Sequence, residues 1–182
     1  MDGEPRSPVD PPRAAVREST YDDAVELLAR RPLSEAELRE RLDGRAHDPD
    51  DVERVVERLR AASYLDDERL ALDLILFRSR KGHGPERTSE EIRRRGVGEE
   101  AIRRAWEAAA RDYDIDPREI LRLRVRRHLQ KEAQPLDQRQ LRRVYNALLR
   151  AGFAATDVRS ELDPFLDEPG SGHDSRRDDD GE

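Results

Sequence analysis

Arginine is the residue with most chemistry to offer in this chain. Arg118, Arg122 and Arg126 recur every fourth position, Arg142 and Arg143 stand side by side downstream, and Arg93, Arg94 and Arg95 form an unbroken run. A guanidinium is a permanent cation that presents five donors in a planar fork, a shape matched to phosphate and carboxylate oxygens. Three of them spaced by four on a helix share one face, while Leu121, Val125 and Leu129 take another. Such a face suits DNA phosphates or an acidic protein surface, and a simply solvated amphipathic face has the same pattern.

The other polar groups point away from catalysis. His47, His83 and His128 lie in different parts of the chain with no nucleophile or carboxylate at a motif spacing, so no catalytic residue is expected. Gly82-His83-Gly84-Pro85 lacks the Gly-Lys-Ser/Thr ending and the preceding strand of a phosphate loop, and reads as a turn with Pro85 at the first helical position. Asp66-Asp67 has no further carboxylate or His at ligand spacing, and the chain has no Cys. The pair therefore reads as a helix start, with Asp66 accepting from an orphan amide and Asp67 and Glu68 near the positive end of the helix. Just before it, Tyr64 and Leu65 read as apolar anchors between two amphipathic segments. No metal site and no cofactor are expected. Trp106 falls at helical spacing from Ile102, which places it in a core and not on a base-stacking platform.

The elements that position these groups must be built from few apolar residues. Charged residues make up 42% of the chain against about 25% in an average globular protein, and Leu, Ile, Val and Phe total 38 of 182. Only Lys81 and Lys131 among the 35 basic residues are lysine. The apolar residues recur with helical period nearly throughout, and no strand pattern competes. Residues 1–19 carry four prolines, and residues 167–182 end in an acidic run with a net charge of −5. Both tails are expected to be disordered, because they hold too little apolar surface to offset the entropy of ordering. The absence of Cys, and of any apolar run as long as a signal sequence or a membrane span, points to a soluble, cytoplasmic protein.

An internal repeat organises the rest. Ile92-Arg93-Arg94-Arg95-Gly96-Val97, followed by Ile102 and Trp106, parallels Leu148-Leu149-Arg150-Ala151-Gly152-Phe153, followed by Val158 and Leu162. In each, a glycine stops one helix in the left-handed region, and the apolar residue after it turns the chain back. Leu38, Leu42, Gly44, Val52 and Leu59 form a looser copy. Helix starts recur too: Ser34 with Glu37 as a capping box, Asp48-Pro49, Gly84-Pro85, Asp116-Pro117, Asp137 and Thr156. The expected fold is all-α, an elongated right- or left-handed array of three tandem three-helix repeats at 20–65, 66–115 and 116–166. Their net charges are −4, −1 and +4, so the third is the basic one.

In the order and spacing of its motifs the chain resembles the RecX regulators of the RecA recombinase, from about Tyr21 to Phe165. The resemblance rests on Ala29-Arg30-Arg31-Pro32-Leu33-Ser34 with Glu37-Leu38, Tyr64-Leu65-Asp66-Asp67-Glu68-Arg69, Lys81-Gly82-His83-Gly84-Pro85, Arg95-Gly96-Val97 and Gly152-Phe153. Leu70 stands where that family commonly has Phe, Thr88 where it has an aliphatic residue, and Ala151 where the last repeat tends to have Arg. The resemblance implies three tandem three-helix repeats. It also implies a non-enzymatic monomer that binds in the groove of the RecA filament on DNA and modulates, usually inhibits, its ATPase and strand exchange in homologous recombination, DNA repair and the SOS response. A helical protein that binds DNA independently of a recombinase is the alternative that the arginine face alone would support.

Overall fold

The computed structural model describes residues 18–45, 47–131 and 137–165. The expected tails, apart from residues 18 and 19, lie outside the described residues. Among the described residues there are nine α-helices, one closing 3-10 turn at Asp163–Phe165 and no strand. The helices are α1 Glu18–Arg30, α2 Glu35–Asp43, α3 Pro49–Ala61, α4 Asp67–Arg80, α5 Pro85–Arg94, α6 Glu99–Tyr113, α7 Pro117–Leu129, α8 Gln138–Arg150 and α9 Ala155–Leu162.

Local chemistry sets most of the helix starts. Ser34 accepts from the Glu37 amide and the Glu37 carboxylate accepts from the Ser34 amide, closing the capping box of α2. Asp48 and Asp116 cap α3 and α7 ahead of a proline that has no amide to leave unsatisfied. Asp137 and Gln140 form a second capping box at α8. The Asp66 carboxylate accepts from the Arg69 amide at 2.8 Å, which caps α4. Thr156 is not a helix start: α9 begins a residue earlier behind Ala154, whose side chain cannot cap. Thr20, whose place ahead of Ala24, Leu27 and Leu28 also suggests a helix start, sits inside α1, fully buried.

The chain packs as two compact units, divided within α4 between Leu76 and Phe77 and within α5 between Thr88 and Ser89. The first holds residues 18–76 and 89–114. In it α1, α2 and α3 pack pairwise around Leu27, Leu38, Leu42, Val55, Val56 and Leu59, with Leu65 closing the cluster. The second holds residues 77–88 and 115–165, where α7, α8 and α9 pack around Leu121, Val125, Val144, Leu148, Phe153 and Val158.

Three expectations need correction. Tyr64 is 70% exposed and anchors nothing, because Ser63 takes a left-handed turn (φ 59°) and only Leu65 enters the core. The helical spacing of Leu70, Leu74 and Phe77 predicts one apolar stripe on α4, but Phe77 is 48% exposed and the helix buries Leu70, Ala71, Leu72 and Ile75. Gly44 is no left-handed stop, since its φ is −62° and α2 closes in right-handed geometry.

Gly96 (φ 79°) and Gly152 (φ 89°) do adopt the left-handed turn, and each is pressed against the start of an earlier helix. A Cβ on Gly96 would lie 2.3 Å from the Ala36 Cβ on α2, and one on Gly152 would lie 2.2 Å from the Arg87 Cβ on α5. Around Gly96, the Ser34 hydroxyl donates to the Arg95 carbonyl. Around Gly152, the Gly84 amide donates to the Ala151 carbonyl at 2.8 Å and the Glu86 amide to the Gly152 carbonyl at 3.0 Å. Carbonyls that a helix end leaves orphaned are thus satisfied by donors at the start of an earlier helix.

Candidate polyanion interface

Charge is sorted between the two units far more sharply than along the sequence. Residues 77–88 and 115–165 carry 15 basic and 8 acidic side chains, a net of +7, whereas residues 18–76 and 89–114 carry 15 basic and 24 acidic, a net of −9. Sequence-ordered repeats hid this, because the basic segment Arg78, Arg80, Lys81 and Arg87 leaves its own repeat to join α7–α9.

Within the acidic unit most of the arginines have a carboxylate partner. Arg95 donates to Glu37 from Nε at 3.1 Å and Nη2 at 2.7 Å, and Nη2 also reaches the Pro32 carbonyl at 2.8 Å. Burial alone would raise the Glu37 carboxyl; hydrogen bonds from Arg95, Arg31 and the Ser34 amide outweigh it and hold the pKa at about 2. Arg93 pairs with Glu99 and, at 3.5 Å, with Glu90. Arg94 pairs with Glu90 at 3.2 Å while staying 75% exposed. The run Arg93-Arg94-Arg95 therefore faces carboxylates of its own unit.

The Asp66-Asp67 pair serves two helices. Asp66 caps α4, whereas Asp67 accepts from the Glu35 amide at 3.0 Å and so satisfies the first turn of α2. Burial raises the Asp67 pKa above its ordinary value, and this hydrogen bond only partly offsets the rise. The described residues contain no group of three or more potential metal ligands. One arrangement does resemble a catalytic relay: with its proton on Nε2, His47 donates to Asp23 at 2.7 Å and accepts from the Thr20 hydroxyl at 3.1 Å. Thr20 is 0% exposed, however, so no substrate can reach that hydroxyl, and the group ties α1 to the segment before α3.

In the basic unit compensation is sparser. Arg122 donates to Glu119 at 2.6 Å and lies 3.5 Å from Glu161. Arg118 and Arg126 are exposed and enter no ion pair among the described residues, and Arg142 and Arg143 are exposed on α8. Arg122 and Arg126 border an open groove of about 550 Å³ that Glu161 and Phe165 also line. Arg124 turns the other way, towards the 82–84 turn, where its Nη1 donates to the Gly82 carbonyl at 2.5 Å. Of the turn residues, Gly84 and Pro85 start α5, and Phe153 is buried beneath the Gly152 stop.

Fold and surface together define a helical-repeat protein with one acidic and one strongly basic unit. The family model described as RecX, first three-helix domain, matches residues 21–59. The regulatory protein RecX of Halorhodospira halophila is 35% identical over 146 residues, covering 80% of this chain and 88% of that protein. The regulatory protein RecX of Salmonella arizonae is 33% identical over 168 residues, covering 86% and 97%. A crystal structure of RecX from Lactobacillus salivarius superposes with a TM-score of 0.71 over 84% of this chain and 98% of the other, at 12% identity. A second crystal structure of regulatory protein RecX gives a TM-score of 0.66 at 18% identity, over 82% and 73%. The chain belongs to the RecX family. No helix among the described residues is long and apolar enough to cross a membrane.

Proposed function

We propose that the chain is a regulator that binds the RecA recombinase filament on DNA and lowers its ATP hydrolysis and strand exchange. It acts by occupying the filament groove as a monomer in the cytoplasm, with three three-helix repeats (20–65, 66–115 and 116–166) laid along it, and it has no chemistry of its own. The observation that carries this reading is the net charge of +7 on residues 77–88 and 115–165, in a chain whose relatives are regulatory proteins. A groove lined by DNA phosphates attracts such a unit over a Debye length and releases counterions on contact, so affinity falls steeply with salt.

The decisive experiment is DNA-dependent ATP hydrolysis by the cognate recombinase with and without this protein, alongside cosedimentation with filaments and with DNA alone. Lower hydrolysis and preferential pelleting with filaments are expected. Equal pelleting with bare DNA and no change in hydrolysis would leave a DNA-binding protein that acts without a recombinase. Arg118→Ala combined with Arg122→Ala and Arg126→Ala keeps Leu121, Val125 and Leu129 in the core. That variant is expected to weaken filament binding and flatten its salt dependence.

A further inference from the structure

Arg87, Arg124 and Arg127 stand apart from the other arginines. Arg124 is half-buried, its described acceptor is the Gly82 carbonyl, and its Nε–H is shut away from solvent with no acceptor. Arg87 reaches the Arg150 carbonyl at 3.1 Å. Both acceptors are neutral, so both cations stay uncompensated. Arg127 is exposed, one turn on from Arg124 along α7, and enters no ion pair among the described residues. The Arg124 pKa is lowered by burial and then by the charges of Arg127 and Arg87, with no carboxylate acting against them. Arg39, Arg93 and Arg103 in the acidic unit all move the other way, each raised by a glutamate partner.

Arg87 and Arg124 are fixed to one backbone junction, and Arg127 stands close enough to act on the Arg124 charge. The 82–84 turn is fastened to the 151–152 turn by the Gly84–Ala151 and Glu86–Gly152 hydrogen bonds; Arg87 extends from the first turn of α5 to the Arg150 carbonyl, and Arg124 reaches from α7 to the Gly82 carbonyl. Guanidiniums gathered on a fixed frame without a carboxylate repel one another and lose hydration, a cost that an arriving anion removes. Their forked donors suit phosphate oxygens.

We propose that Arg87, Arg124 and Arg127 form an anion site that takes a phosphodiester of a nucleic-acid strand. The site deepens the reading of the chain as a regulator of DNA-bound filaments, and it rests on that reading for the identity of the strand. It lies away from the Arg122–Arg126 groove, so α7 offers positive charge on two sides.

The test uses the full chain, a fluorescein-labelled oligothymidylate and anisotropy over a range of KCl concentrations, without recombinase. Arg87→Ala with Arg127→Ala removes two exposed charges. It should lower affinity about tenfold at low salt and make the slope of log affinity against log salt shallower by about 1.4, the single-strand value for two lost phosphate contacts. Arg103→Ala with Arg104→Ala removes two exposed, glutamate-paired charges and should stay within about twofold of the parent. Arg124→Lys keeps the charge and should lose less than Arg124→Gln; the Arg87/Arg127 variant carries the test if Arg124→Gln misfolds.

Equal losses in the two double variants would reduce the effect to net charge and overturn the site. Unchanged affinity and slope in the Arg87/Arg127 variant would do the same. Inorganic phosphate at matched ionic strength should displace the strand no better than chloride; displacement at low millimolar phosphate would assign the site to free phosphate and overturn the strand. If the parent leaves filament hydrolysis untouched while the slope change is seen, the filament reading fails and the site stands. If the variant inhibits filaments with the parent's salt dependence and its strand binding is unchanged, the site fails and the filament reading stands.

Discussion

Arg95→Met replaces the guanidinium that fastens the stop turn after α5 to the start of α2 by an apolar chain of similar reach. The variant loses two hydrogen bonds to Glu37, at 3.1 and 2.7 Å, and one to the Pro32 carbonyl at 2.8 Å. Both side chains of the ion pair are 18% exposed. The pair thus falls between surface pairs, worth under about 1 kcal/mol, and fully buried ones, whose disruption costs about 3–5 kcal/mol. The Glu37 carboxyl gives a second measure. Burial opposes ionisation, yet its partners hold the pKa at about 2 instead of 4.5, equivalent to at most about 3 kcal/mol at neutral pH. Arg31 and the Ser34 amide remain in the variant, which leaves a cost of about 2 kcal/mol.

The pH dependence has a definite sign. A carboxyl whose folded pKa is depressed stabilises fully above its unfolded value, and that contribution is lost as pH falls through the folded one. Urea unfolding followed by circular dichroism should therefore show a gap between parent and variant of about 2 kcal/mol near neutrality. The gap should narrow as pH falls from 4.5 towards about 2. A gap under about 0.5 kcal/mol at neutral pH, the usual effect of an unremarkable surface change, or one that does not vary with pH, refutes the reasoning.

The glycines give a matched comparison. Gly152→Ala must carry a side chain at φ 89° with its Cβ 2.2 Å from the Arg87 Cβ and 2.6 Å from the Arg87 amide nitrogen. Left-handed strain and overpacking should together cost about 3 kcal/mol in thermal or urea unfolding. Gly44→Ala, at φ −62°, should fall within about 0.5 kcal/mol of the parent or slightly above it; equal costs at the two positions would count against docking as the reason for the glycine. Asp67→Asn keeps an oxygen for the Glu35 amide and removes a charge that burial disfavours. Because the folded pKa is raised, the ionised group weighs against the fold as pH rises through it. The variant should match or exceed the parent at neutral pH in urea unfolding, and a loss above about 1 kcal/mol would mean the charge itself is needed.

What the sequence made legible was local. Helix starts at Ser34, Asp48, Asp66, Asp116 and Asp137 follow from side chains acting within three residues, and the helical period of the apolar residues gave the all-α class. The left-handed stops at Gly96 and Gly152 were readable because the apolar residue after each turn recurs. Contacts between distant positions were not readable. Glu37 and Arg95 are 58 positions apart, and Asp67 reaches back 32 to the Glu35 amide. Nothing in the periodicity marks Tyr64 and Phe77 as exposed, since their outward turn depends on the backbone at Ser63 and on which face of α4 is covered. The arginine pattern showed where cations lie along the helices but not which have a carboxylate opposite them.

The two docked glycines explain why charge is sorted by unit and not by repeat. A stop turn that leaves carbonyls unsatisfied needs donors from elsewhere in the chain, and the donors it finds are at the first turn of the second helix one repeat earlier. Gly96 is accordingly held by Ser34 and Ala36, and Gly152 by Gly84, Glu86 and Arg87. The start of α5 therefore packs with α8 while its end packs with α2, and the middle repeat is shared between two units. Within each unit a stop turn docks on a helix start from the repeat before it, which is how a repeat of about fifty residues overcomes a core too small to stand alone. The same exchange carries Arg78, Arg80, Lys81 and Arg87 into the unit that already holds α7. The backbone bonding that joins the repeats thus also concentrates positive charge, so loosening the Gly84–Gly152 junction should weaken strand binding and stability together.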